Sequence, residues 1–218
     1  MSGRGRLADV PALVHPDVFM WRDGQWLPAA EPLHTDKPDD CGVGLGMSFA
    51  VDLAQRMGLA PVGLVPCAVG GSPLRRWMPG ADLYEAVLGE ARAALAHGSL
   101  SGLLWHQGEH DSCGEEMASS YADRLATMIT QLRTDLAVTE DVPFIAGELG
   151  PFLKAFPQTV HYEQVNRALR DLGNVVPHYQ FVRAEGLEDN GDALHFNAKS
   201  LRAFGQRYAR AFEKSKDG

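Results

Sequence analysis

Basic residues are in deficit in this 218-residue chain: 20 Lys and Arg stand against 28 Asp and Glu, a formal net charge of −8. Nucleic acid and anionic membranes are thereby excluded as expected partners, because phosphate binding needs a basic face. Cysteine is scarce as well. Cys41, Cys67 and Cys113 are odd in number and widely spaced, which gives no disulfide framework and makes a reducing, cytoplasmic compartment the default expectation. No apolar run approaches ~18 residues, so no membrane-spanning helix is expected. The opening residues, Met1-Ser2-Gly3-Arg4-Gly5-Arg6, are basic but lack the apolar stretch of a signal peptide. Internal repeats, low-complexity tracts and linkers are missing too. What remains is 45% hydrophobic and 22% charged, the balance of one soluble domain spanning residues 1–218.

Within that domain, strand-like and helical runs alternate. Val18 to Trp21 and Gln25 to Leu27 flank Asp23-Gly24, a hairpin signal. A helix is expected over 46–57, where Phe49, Leu53 and Met57 recur on one face. Buried strands are expected over 61–69, 100–105, 143–149 and 179–182, and helices over 83–97, 121–136, 160–172 and 198–213. Strands alternating with helices of this length imply right-handed βαβ units and a parallel sheet with helices on both faces.

Chemistry in such folds sits at the carboxyl ends of strands, and three segments there are unusual. Val69-Gly70-Gly71-Ser72 places paired glycines at a strand end, where exposed N–H groups can approach an oxyanion. Trp105-His106-Gln107-Gly108-Glu109 clusters polar groups directly after an apolar strand, which is economical only in a cleft. Asp192-Ala193-Leu194-His195-Phe196 precedes the last helix with the spacing of a base and its orienting acid, although Asp192 as a cap for the helix near Asn197 is the bland alternative.

Taken in order with 30–33, 44–50 and 147–152, these segments resemble the sialate O-acetylesterase domain over essentially the whole chain. That family includes acetylxylan esterases of carbohydrate esterase family six, within the SGNH (GDSL-like) hydrolase superfamily. The resemblance implies a three-layer α/β/α, flavodoxin-like fold and a serine esterase acting on acetylated sugars or oligosaccharides, with no cofactor and no metal. It implies His195 as general base, Asp192 as its orienting acid, and the Gln107 side chain and Gly71 N–H as oxyanion-hole donors. Glu109 is expected behind them, pairing with Arg4 or ordering Gln107.

The family's nucleophile lies in a Gly-Gln-Ser-Asn-Met-type block after its first strand. Met1-Ser2-Gly3-Arg4-Gly5 resembles the end of that block and its continuation, with Met1 standing for the block's methionine. The serine is therefore expected two residues before Met1, and the first, central strand with it. The chain from Met1 is accordingly expected to be weakly active or inactive, and a signal peptide in such an upstream segment would make the protein secreted. Within the chain, Ser2 is expected on a frayed terminus with nothing to hold it near His195, and Ser72 lacks the Gly-x-Ser-x-Gly pattern.

Two rival readings come from other classes. His106-Gln107-Gly108-Glu109-His110 matches an inverted zinc-protease signature, but that chemistry needs both histidines one turn apart on a helix, and Gly108 disfavours one. A non-catalytic sugar-binding protein would stack sugars on Trp21, Trp77 and Trp105, with Trp77 expected as the most exposed. Arg75 and Arg76 would then face an acidic sugar.

Overall fold

A computed structural model describes residues 2–216. The chain opens with an irregular segment before a hairpin, β1 (Val18–Arg22) and β2 (Gln25–Pro28), paired through Arg22 and Gln25. Its two-residue turn puts Asp23 at φ 51° and Gly24 at φ 75°, the left-handed pair that matches the twist of the flanking strands. Next in order come α1 (Leu45–Arg56), β3 (Val62–Leu64), α2 (Asp82–Leu95), β4 (Leu103–Trp105), α3 (Glu115–Ser119) and α4 (Tyr121–Asp135). β5 (Phe144–Gly147), α5 (Tyr162–Asp171), β6 (Tyr179–Val182) and α6 (Ala198–Lys214) complete the order.

The expected alternation is present, with bounds within about two residues for most helices. The strands are shorter than expected: the apolar run over 61–69 forms a ladder only over Val62–Leu64. Pro66 cannot donate to a ladder and limits the strand's continuation.

The strands form two three-stranded sheets, ordered β2-β1-β3 and β4-β5-β6. Pairing is parallel between β1 and β3, β4 and β5, and β5 and β6, and antiparallel in the β1–β2 hairpin. Among the described residues no ladder joins β3 to β4. Helices cover both faces, and β5 shows how. Ile145 enters a core with α1, α6 and β1, while Phe144 and Ala146 enter one with α2, α4 and α5 on the other side. That split follows from the two-residue side-chain period of a strand. The result is an α/β/α layering.

Helices α1 and α6 approach closely because Gly205 faces Leu45 and Ser48. The Ser48 hydroxyl, buried in that contact, is satisfied by the carbonyls of Leu45 (3.1 Å) and Leu201 (3.4 Å). Both cores thus close around the strand ends, leaving the loops after β3, β4 and β6 to build a site.

Candidate active site

The loop from 183 to 197 carries the Asp-x-x-His pair, and its own polar groups shape it. Asp189 accepts the N–H groups of Gly191 (3.0 Å) and Ala193 (2.8 Å), and Asn190 N–H donates to His195 O at 2.7 Å. These bonds bend the chain through Gly191 (φ 88°) and Ala193 (φ 55°). Phe196 then anchors it, packing on Phe152 at 4.8 Å and Phe204 at 5.2 Å between ring centroids.

On this loop Asp192 Oδ2 lies 2.7 Å from His195 Nδ1, and Asp192 Oδ1 accepts the N–H groups of Leu194 (2.9 Å) and His195 (2.8 Å). Partial burial opposes ionisation of Asp192, but these N–H groups and the imidazole outweigh it and hold the carboxyl below the ordinary aspartate range. With Nδ1 turned to the carboxylate, Nε2 is the nitrogen left for a reacting group. Asp192 does not cap α6. Asn197 does, its side chain accepting Ser200 N–H at 2.8 Å.

The Gly70–Leu74 turn after β3 is held at several points. Gly70 N–H donates to Asp36 Oδ2 (2.7 Å), Leu74 N–H to Asp111 Oδ2 (2.8 Å), and the Ser72 hydroxyl to Val69 O (2.7 Å). Gly71 sits between them at φ 73°, a conformation that favours glycine. No described residue accepts its N–H.

Gln107 departs from expectation. Its amide nitrogen donates to Ser72 O (3.1 Å) and to Asp111 Oδ2 (2.7 Å), and the Tyr121 hydroxyl lies 3.0 Å from its Oε1. Both amide protons are therefore committed to the scaffold, and none is left for an oxyanion. Here Gln107 ties the loop after β4 to the turn that carries Gly71.

Arg4 and Glu109 do not meet either. The Arg4 guanidinium pairs with Asp36 at 2.9 Å and also donates to Ser2 O (2.7 Å), whereas Glu109 lies 3.7 Å from the buried His106 ring. Burial pushes His106 down to about 4, with Glu109 only partly opposing it, so the ring is neutral near neutral pH.

Nor is the N-terminal segment frayed. Ser2 is 4% exposed, and Gly5 and Val43 exchange backbone hydrogen bonds of 3.1 and 2.7 Å. The Ser2 hydroxyl is spent on Asp36 at 3.2 Å, not on His195. Asn190 reaches Arg4 O at 3.5 Å, linking this segment to the histidine loop. Sequence patterns give no hint of Asp36 or Asp111, because an isolated aspartate in an irregular segment carries no spacing signal.

The rival readings lose their geometric basis. His106 and His110 lie in the loop after β4 rather than one turn apart on a helix, and His106 Nε2 is 3.2 Å from Glu148 O. Among the described residues, no three His, Cys, Asp or Glu side chains converge as metal ligands. Trp77 is 7% exposed and donates to Ser72 Oγ at 2.9 Å, and its ring packs edge-on against Trp105. Trp21 is buried as well, donating to Glu90. Arg76 is engaged by Asp82.

A family model for carbohydrate esterases, the sialic acid-specific acetylesterases, matches residues 1–214. The chain belongs to that family. A probable carbohydrate esterase of Arabidopsis thaliana is 32% identical over 195 residues, 87% of this chain and 72% of the relative. The solved structure of the Arabidopsis protein superposes with a TM-score of 0.83 at 30% identity, covering 92% of this chain and 82% of that one. The fold is also that of NanS, with a TM-score of 0.78 at 19% identity and 98% and 92% of the two chains covered. A carbohydrate acetylesterase from Xanthomonas citri shares it with a TM-score of 0.64 at 21% identity, covering 89% of this chain and 47% of that one. No helix among the described residues is long and apolar enough to cross a membrane.

Proposed function

We propose that this carbohydrate esterase removes acetyl groups from O-acetylated sugars by two-step serine acyl transfer. The observation that carries the reading is the 2.7 Å contact between Asp192 and His195 Nδ1, which turns Nε2 toward the reaction. The nucleophile is a serine within reach of His195 Nε2. Its hydroxyl oxygen attacks the acetyl carbonyl carbon while its proton passes to His195 Nε2. Asp192 fixes the tautomer and stabilises the imidazolium. The carbonyl oxygen becomes an anion, to which Gly71 donates its N–H, while Gln107 braces the turn behind it. Collapse breaks the bond to the sugar oxygen, which takes the proton from His195. Water then attacks the acyl-serine, giving its proton to His195, and acetate leaves as the serine regains a proton.

The family supports O-acetylated sialic acid as the first sugar to try, with acetylated xylan as the alternative. The test is acetate release from each, alongside 4-nitrophenyl acetate hydrolysis, by the chain from Met1 and by a form extended upstream. Activity of the extended form that is abolished by His195→Ala supports the reading. Full activity from Met1 would put the nucleophile within these residues, and no activity from either form would refute the esterase.

A further inference from the structure

Asp36 lies in an irregular stretch between β2 and α1, yet its side chain is only 8% exposed. Four donors from three separate segments converge on it. Its Oδ2 accepts Gly70 N–H (2.7 Å), Arg4 Nη2 (2.9 Å) and the Ser2 hydroxyl (3.2 Å), and its Oδ1 lies 3.5 Å from Cys41 Sγ. Burying a carboxylate and a guanidinium together is costly, and such pairs are often no more stabilising than apolar replacements. Gly70 leaves almost no space at this junction, since a Cβ there would collide with the Arg4 guanidinium. The arrangement therefore fixes one peptide closely at considerable cost.

That peptide is the one leading into Gly71. Gly70 N–H is used on Asp36, Leu74 N–H on Asp111, and Gly71 between them is left at φ 73° with its N–H unclaimed by any described residue. We propose that Asp36 is a positioning residue for the esterase reaction: it holds the Gly70–Gly71 turn so that Gly71 N–H stays aimed at the developing oxyanion. This rests on the acyl-transfer reading above. Arg4 has a matching role. A bare carboxylate this close to an oxyanion would repel it, and the guanidinium neutralises that charge. Asp36 also bonds to Ser2, so a single carboxylate joins the N-terminal segment to the oxyanion turn.

The test is Asp36→Asn in the esterase-active form, with kcat and KM measured separately. An oxyanion contact exists only in the transition state, so its misplacement lowers kcat and leaves KM nearly unchanged. The expected result is a loss of about tenfold or more in kcat, with KM within about twofold. A kcat within about twofold of the parent in folded Asp36→Asn would overturn the proposal. Hydrogen exchange of the Gly70 amide in the unaltered protein gives an independent reading that does not depend on the variant folding. Strong protection is expected, and exchange as fast as an open loop amide would also overturn it. A parent that is itself inactive while Gly70 is protected would instead sink the esterase reading, and this proposal with it.

Discussion

Asp192 contacts His195 twice: Oδ2 meets the ring nitrogen Nδ1 at 2.7 Å, while Oδ1 accepts the histidine's own backbone N–H at 2.8 Å. One carboxylate thus fixes both the backbone and the ring of the same residue. The side chains are 42% and 44% exposed, so the pair contributes little to stability and is free to act on a substrate.

On the proposed mechanism, His195→Ala lowers kcat for acetyl esters by about a thousandfold or more, and Asp192→Asn by at least about a hundredfold. Melting temperatures of both variants stay close to that of the parent. Steady-state kinetics with thermal melts check this, and an active His195→Ala would remove the general base from the mechanism.

Asp111 is fully buried and holds three donors at once: Leu74 N–H, the Gln107 amide and Arg124 Nη2 at 2.9 Å. Asp111→Ala strands all three and is expected to cost about 3–5 kcal/mol. Asp111→Asn, which keeps an acceptor, costs less. Urea unfolding of the two variants measures the difference, and equal losses would show that shape rather than hydrogen bonding matters there.

Gly205→Ala tests the contact between α1 and α6. Alanine ordinarily gains about 1 kcal/mol over glycine inside a helix. Here its methyl would strike Ser48 Oγ and the Leu45 carbonyl, and overpacking of this kind costs about 1–3 kcal/mol. Backbone on the opposing helix cannot rotate away, so the collision wins and the melting temperature falls. A stabilised variant would show that the helices can separate without penalty.

Asp36 sets a pH dependence. Burial opposes its ionisation, but Gly70 N–H, Arg4 and Cys41 outweigh this and hold its carboxyl below the ordinary aspartate range. A group with a depressed folded pKa contributes stability above its unfolded value, about 3.9, and loses it as the pH falls through the folded value. The stability gap between the parent and Asp36→Asn is therefore widest at neutral pH and narrows below about pH 4. Urea midpoints at pH 6 and pH 3 report it, and a gap that widens in acid would contradict the assignment.

Much of the fold is legible in the sequence. Asp23-Gly24 marks the hairpin, and Tyr179–Val182 forms a strand with the expected bounds, because local backbone chemistry and apolar pattern determine both. The pairing of Asp192 with His195 follows from a three-residue spacing. Long-range polar contacts do not show. Arg4 meets Asp36 rather than Glu109, and the Gln107 amide is consumed by Asp111 and Ser72; nothing in a linear pattern says which buried donor takes which acceptor. Trp77 misleads for a related reason, since the Ser72 hydroxyl gives its indole N–H a partner inside the core.

The polar contacts between the loops after β3 and β4 have a second task. Within a continuous sheet, backbone hydrogen bonds hold adjacent strand ends in register. Side chains add to this between the two loops: Gln107 and Asp111, both after β4, reach Ser72 and Leu74, both after β3, and the Trp77 and Trp105 rings pack edge-on beside them. A carboxamide, a carboxylate and two indoles thus act as rivets between the halves of the molecule. The relative placement of those two loops therefore depends on side-chain chemistry that a single substitution can change.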